Sequence, residues 1–311
     1  MTLEPRQIPV PETAPEDPRV GELLGRSLGP EEIARLALVG FPVDRGVVRN
    51  AGREGASAGP DALRKRLYRL CPDPERTDAF TDLLAHSRDL GDLQPSGDLA
   101  RDQEALGEVV GELLQHGTTV VVLGGGHETS FGHFLGYVAA GRSVAIQNFD
   151  AHADVRQLKA GQGHSGSPFR QALSHASRAC AHYRVDGLQR STTAAAHLEF
   201  LREHGAEWSF ADSLTVDGVD AAFAVARGER MATFCLDALD QAFAPGVSAP
   251  GAGGLEPRIW LHAAEAAGRC PEVRSLDVVE LNPRFDRDEQ TARLAALTVW
   301  HFLRGVCGRE G

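Results

Sequence analysis

Five short apolar runs, separated by longer stretches that include helix-type patterns, fix most of what this chain can fold into. They are "ARLALVGFPVD" (34–44), "TTVVVLGGG" (118–126), "RSVAIQNFD" (142–150), "MATFCLDAL" (231–239) and "VRSLDVVELNP" (273–283). Runs of this length read as strands buried on both faces. Between them, "EALGEVVGELLQHG" and "AAAHLEFLREHG" carry a helical repeat closed by glycine, and "EQTARLAALTVWHFL" resumes it near the end. Strand and helix in alternation imply an α/β fold with a mostly parallel sheet covered on both faces. Ligands of such sheets sit beyond the carboxyl ends of the strands. The residues that close each apolar run are therefore the ones to read for chemistry.

The third run ends in "IQNFDAHADVR" (146–156), which sets Asp150, His152 and Asp154 at alternate positions. If the strand continues through them, all three point the same way. Two carboxylates held that close resist ionising unless a cation or a shared proton lies between them, and a divalent metal is the simplest resolution. The plainer reading is a polar junction in which the aspartates cap a following helix. "VVVLGGGHETSFGHF" delivers His127 after three glycines that permit close backbone approach and unusual dihedrals. It lacks the GxGxxG spacing and the Lys-Ser/Thr of a nucleotide loop. His133 falls within a helical pattern and is expected to pack or face solvent. On the fourth run Asp237 and Cys235 share a face, whereas Asp240 should point the other way. The fifth brings Glu280 to the same edge, to pair either with a cationic substrate group or with an arginine.

Composition removes several alternatives. A formal net charge of -11 over 311 residues disfavours nucleic acid, whose phosphates draw clustered Lys and Arg. No run of 18 apolar residues suggests a membrane span, and the acidic, proline-rich "MTLEPRQIPVPETAPEDP" does not resemble a secretion signal. Cys71, Cys180, Cys235, Cys270 and Cys307 are scattered without CxxC spacing, which suits a reducing cytoplasm. The length permits one large domain or two small ones, acting on a small molecule, with residues 1–30 a loose N-terminal arm.

Taken together, GGGHE (124–128), NFDAHADVR (148–156), APGVSAP (244–250), DVVELNP (277–283) and "GVVRNAGREGASAGPDALR" (46–64) resemble the ureohydrolase superfamily of arginase and agmatinase. The spellings GGGHET, NFDAH, "SGSPFRQ" (165–171) and PGVSAP are most similar to its formimidoylglutamase branch. The resemblance runs from about residue 35 to 305. It implies a single three-layer α/β/α domain over 31–311, a binuclear Mn²⁺ centre and hydrolysis of an amidine or guanidine carbon, in a cytoplasmic homo-oligomer.

In the terms of that resemblance, His127, Asp150 and Asp154 hold one ion, His152 and Asp237 the other, and Asp150 bridges them. Asp154 orients the nucleophile and Glu280 receives the amidinium. Where arginase has a shuttle histidine this chain has Ser165, beside His164. A second departure is Cys235, at a position where most members have a bridging aspartate. Sulfur suits manganese less well than oxygen, so three outcomes stay open: Cys235 as a ligand of a working pair, one firmly held ion, or a softer metal. A formimidoylglutamate pocket needs cations for two carboxylates, and Arg156 and Arg170 are placed for that ahead of Arg190. The expected reaction is hydrolysis of N-formimidoyl-L-glutamate to L-glutamate and formamide in histidine degradation. The alternatives are a guanidine hydrolase, or a catalytically impaired metal-binding homologue.

Overall fold

The computed structural model describes the chain apart from residues 1, 2, 6, 7, 10–12, 15, 30, 31 and 311. Its strands are Leu3–Glu4 (β1), Leu36–Phe41 (β2), Ser87–Leu93 (β3), Thr119–Gly124 (β4), Val144–Phe149 (β5), Cys180–Leu188 (β6), Glu207–Phe210 (β7), Arg230–Cys235 (β8) and Val273–Val279 (β9). They form one sheet in the order β1-β3-β2-β4-β9-β8-β5-β6-β7. Among the described residues, only the β1–β3 pair of this sheet is antiparallel. The helices are Val20–Leu23 (α1), Arg45–Arg49 (α2), Gly59–Leu67 (α3), Thr77–Ala85 (α4), Leu99–Gln115 (α5), Thr129–Ala139 (α6), Pro168–Leu173 (α7), Ala195–Glu203 (α8), Val216–Ala224 (α9), Pro257–Arg269 (α10) and Gln290–Cys307 (α11).

Strand alternation sorts these into three layers. Along β4, Val121 and Leu123 enter one core with Trp260 of α10 and Phe302 of α11, while Val120 and Val122 enter the other with Leu106 of α5 and Phe134 of α6. All four valine and leucine side chains are fully buried, which is why the run shows no polar alternation. The expected three-layer α/β/α class is therefore what forms. No helix among the described residues is long and apolar enough to cross a membrane.

Each of the five expected strands forms, but ends one to four residues before its run does. Four further strands were not expected. "SRDLGDL", "CAHYRVDGL" and "EWSF" are polar and only partly buried, because they lie toward the sheet's margins. Of the N-terminal residues set apart as an arm, Leu3 and Glu4 pair with Leu93 and Asp92, and Val20 and Leu23 are buried against Leu67 and Phe80.

The central strands β4, β9, β8 and β5 lie side by side and finish almost level. Leu123 is opposite Val278, Cys235 opposite Val279, and Phe149 opposite Phe234. One residue or a few past those ends, each strand delivers a chemically active side chain to the same edge.

Candidate metal centre

His127 follows β4 by three residues, and the glycines between explain its placement. A Cβ on Gly125 would lie 2.1 Å from the Val43 carbonyl oxygen, and one on Gly126 would lie 2.4 Å from Val47. None of Gly124, Gly125 and Gly126 has positive φ, so the triplet serves close approach and not the unusual dihedrals expected. His133 is fully buried in α6 and bonded to Asp277 and Ser275 at 2.8 and 2.6 Å, a packing role.

The segment bearing Asp150, His152 and Asp154 corrects the strand argument. β5 stops at Phe149, and the three residues sit in an irregular loop in which Asp154 adopts φ 47°. They converge through pinning of the loop, not through the pleat. The Asp150 Oδ1 accepts from the His152 N–H at 2.7 Å, and the Tyr183 hydroxyl of β6 donates to the Ala153 carbonyl at 2.9 Å. The Phe169 N–H donates to the Asp154 carbonyl at 3.2 Å.

Cys235 is the last residue of β8, and Asp237 lies in the 3₁₀ turn that follows, with Sγ 2.9 Å from its Oδ1. Asp240 turns away, as expected, and accepts from the Ala242 and Gly253 N–H groups in the loop beyond. Glu280 follows β9 directly, at φ 70°. A left-handed glutamate costs of order 1–3 kcal/mol and is retained where surrounding structure enforces it. Here the enforcing contacts are the Glu280 N–H donating to the Gly125 carbonyl at 2.7 Å and the His127 N–H donating to Oε1 at 2.8 Å.

These residues form two groups of converging donor atoms, His127–Asp150–Cys235 and Asp150–His152–Asp237, with the atoms of each within 4.8 Å of one another. Asp150 belongs to both. Asp154 joins the first, with Oδ2 at 2.9 Å from His127 Nδ1. His152 Nδ1 lies 3.2 Å from Asp237 and 3.5 Å from Asp150. Burial, and then the Asp150 charge, push Asp154 up to about 6. Burial would also raise Asp150, but the His127 and His152 imidazoles hold it below the ordinary carboxylate range. Burial, and next the Asp237 charge, bring Glu280 to about 7. Burial and the Asp237 charge push the Cys235 thiol well up. In each of these acids except Asp150 burial is the larger cause of the rise and a neighbouring negative charge the second.

The hydrogen bonds behind His127 show what is wanted. Ser130 donates to Asp277 Oδ2 at 2.9 Å, so the 3.1 Å contact between Ser130 and Thr233 is donated by Thr233. Thr233 must then accept from His127 Nε2–H, 3.1 Å away. The chain leaves the Nδ1 side facing Asp150 at 3.1 Å and Asp154 at 2.9 Å. Nδ1 is nevertheless buried without a hydrogen-bond partner: an N–H there aligns with neither oxygen. Held by these three residues, a divalent ion would satisfy the donors, and the imidazole-plus-carboxylate set suits Mn²⁺.

Thr233, Ser130 and Asp277 were not legible in the sequence. Each is an ordinary polar residue on a buried strand or helix, the sole signal being a polar group inside an apolar run. Thr233→Val keeps the shape and removes the acceptor for His127. Orientation of a ligand imidazole by such a partner is worth 10- to 100-fold in metal affinity. Manganese titration of the metal-free protein is expected to show a loss of that size, and unchanged affinity would remove the role.

The centre opens into a cavity of about 190 Å³ whose lining includes His152, Asp154, Arg156, Ser165, Ser248 and Glu280. A larger groove of about 1080 Å³ nearby contains none of the converging ligands. Arg156 reaches the cavity, but Arg170 does not line it. Its Nε donates to the Val155 carbonyl at 2.6 Å and its guanidinium stacks 3.9 Å over Phe200, so it holds the loop after Asp154. Arg190 is exposed and paired with Asp212. His164 is buried, with Nε2 2.9 Å from the Gln157 carbonyl and Nδ1 accepting from the Gly166 N–H, so it has no free nitrogen for the cavity. Ser165 does line it, with Asn50 donating to its hydroxyl at 3.2 Å. Asn50 was missed, and its Oδ1 is buried without a partner.

A three-layer α/β/α fold whose central strand ends converge carboxylates, imidazoles and a thiol on one small cavity presents the donor set of a divalent-metal site. The model of the Arginase family matches residues 34–304, and the chain belongs to that family. It is 38% identical over 305 residues to the formimidoylglutamase of Salmonella newport (strain SL254), spanning 92% of this chain and 91% of that one. It is 36% identical over 282 residues to the formimidoylglutamase of Geobacillus thermodenitrificans, spanning 86% and 84%. Its structure also resembles the crystal structure of Trypanosoma cruzi formiminoglutamase with Mn²⁺, at a TM-score of 0.85 and 32% identity over 94% of this chain and 99% of that one.

Proposed function

We propose that this chain is a cytoplasmic metal-dependent hydrolase that cleaves N-formimidoyl-L-glutamate to L-glutamate and formamide in histidine degradation. The observation that carries the reading is Glu280 Oε2, a buried carboxylate oxygen without a partner on the wall of the cavity that holds the two ligand groups. An amidinium is the cation such an oxygen receives. The names of the relatives agree with it, and five free cysteines suit the cytoplasm. A homo-oligomer acting on a small molecule is part of the same reading.

His127, Asp150, Asp154 and Cys235 would hold one ion, and Asp150, His152 and Asp237 the other. A pair of divalent cations supplies Lewis acidity and a water of lowered pKa. The protein's own groups do the positioning. Glu280 binds the amidinium and turns its carbon toward the ligand groups. Asp154 accepts a hydrogen bond from the attacking water and aims it. Arg156, exposed at the mouth and lining the cavity, grips a substrate carboxylate. Water adds to the amidine carbon, its O–H proton passes to the glutamate nitrogen as the bond to that nitrogen breaks, and formamide and L-glutamate are released.

The test is turnover by the purified full-length chain loaded with Mn²⁺, with arginine, agmatine and 4-guanidinobutyrate beside N-formimidoyl-L-glutamate. Turnover of the last alone, abolished by EDTA, is expected. Faster release of urea from a guanidine would overturn the substrate assignment, and silence on every substrate would favour an impaired homologue.

A further inference from the structure

The two ligand groups are not chemically alike. Asp150, His152 and Asp237 offer one nitrogen and oxygen donors, whereas His127, Asp150 and Cys235 include a sulfur. Cys235 is only 1% exposed, and its surroundings are not those of a filler thiol. Sγ meets the Asp237 carboxylate at 2.9 Å and lies within 4.8 Å of the ligand atoms of His127 and Asp150. A thiol kept for packing sits among apolar side chains, while this one closes a ring of acids. Independently, His127 Nδ1 is buried, makes no aligned hydrogen bond and is aimed into the same group, 3.1 Å from Asp150 and 2.9 Å from Asp154.

Sulfur donors favour softer divalent ions, and carboxylates favour manganese. We propose that the centre is divided: the His127–Asp150–Cys235 position keeps a thiophilic ion of the zinc class, and the Asp150–His152–Asp237 position keeps Mn²⁺. On binding, the S–H bond of Cys235 breaks, the sulfur retains the electron pair as it ligates the ion, and the proton leaves to solvent. The inference rests on the two-ion reading above, but its tests do not depend on turnover.

Cobalt is the probe, because a thiolate bound to Co²⁺ gives a near-ultraviolet charge-transfer band that oxygen and nitrogen donors do not. Metal-free full-length protein titrated with Co²⁺ is expected to develop that band, saturating at one ion per chain, with a second ion adding visible absorption only. Cys235→Ser should lose the band while still binding Co²⁺. After dialysis against Zn²⁺ with a large excess of Mn²⁺, the wild-type chain should carry one of each. Zinc binds more tightly than manganese at most sites, so the decisive comparison is Cys235→Asp, which restores a carboxylate and guards against misfolding of the serine variant. Its preference for Zn²⁺ over Mn²⁺ at the first position should fall at least about tenfold.

Binding of Co²⁺ without the band, or an unchanged metal preference in Cys235→Asp, overturns the division and leaves the hydrolase reading standing. Failure to bind Co²⁺ at all overturns both. Two manganese ions, or two zinc ions, in the wild-type chain at that excess of Mn²⁺ also overturn it.

Discussion

Glu280→Gln is expected to lower kcat/KM for N-formimidoyl-L-glutamate by roughly 30- to 5,000-fold, the range that follows from removing one partner of a buried charge pair at 2–5 kcal/mol. Glutamine has the same size and keeps a carbonyl to accept from the His127 N–H, now at 2.8 Å on Oε1. What it lacks is the charge of Oε2, which has no partner within the protein. The fold therefore loses nothing by the exchange, since a buried unpaired carboxylate costs stability. Thermal unfolding should occur at the same temperature or higher. A structural ion-pair role for Glu280 predicts the opposite pattern, lower stability with little change in rate.

Asp150→Asn is expected to have the larger effect, lowering kcat at least about 1,000-fold because metal assistance supplies several kcal/mol. Asp150 is the one residue common to both ligand groups, and its Oδ1 also accepts from the His152 N–H at 2.7 Å. Asparagine keeps that acceptor, so the loop is held while the shared negative charge is lost. Metal analysis should find fewer ions per chain, and circular dichroism should be unchanged. Activity within tenfold of the wild type would mean that Asp150 is not shared between ions.

The centre was legible because each ligand closes or follows an apolar run, and the runs end at one sheet edge. His127, Asp150 and Glu280 follow, and Cys235 ends, four strands that are neighbours in the sheet but far apart in the chain. The reason given for convergence of Asp150, His152 and Asp154 was wrong, because β5 stops at Phe149 and the three residues lie in the irregular loop beyond it. The loop is set by Tyr183, Phe169 and Arg170, whose contacts with it span 15 residues or more. Arg170 read as a substrate ligand from its place in "SPFRQ", whereas its bond to the Val155 carbonyl and its stacking on Phe200 hold it outside the cavity lining. The polar strands β3, β6 and β7 escaped because a strand covered on one side only need not be apolar. The chain from His127 through Thr233 and Ser130 to Asp277 joins partners more than 100 residues apart. No local pattern encodes it.

The measurement that tests the account most directly is the fate of the amidine carbon. Water adding to that carbon leaves two nitrogens, and either can depart. N-formimidoyl-L-glutamate labelled with ¹³C at the formimidoyl carbon, incubated with the Mn²⁺-loaded protein and followed by NMR, should yield labelled formamide in step with glutamate, and nothing in the presence of EDTA. Label appearing in N-formyl-L-glutamate with release of ammonia, or remaining in unchanged substrate, would contradict the account.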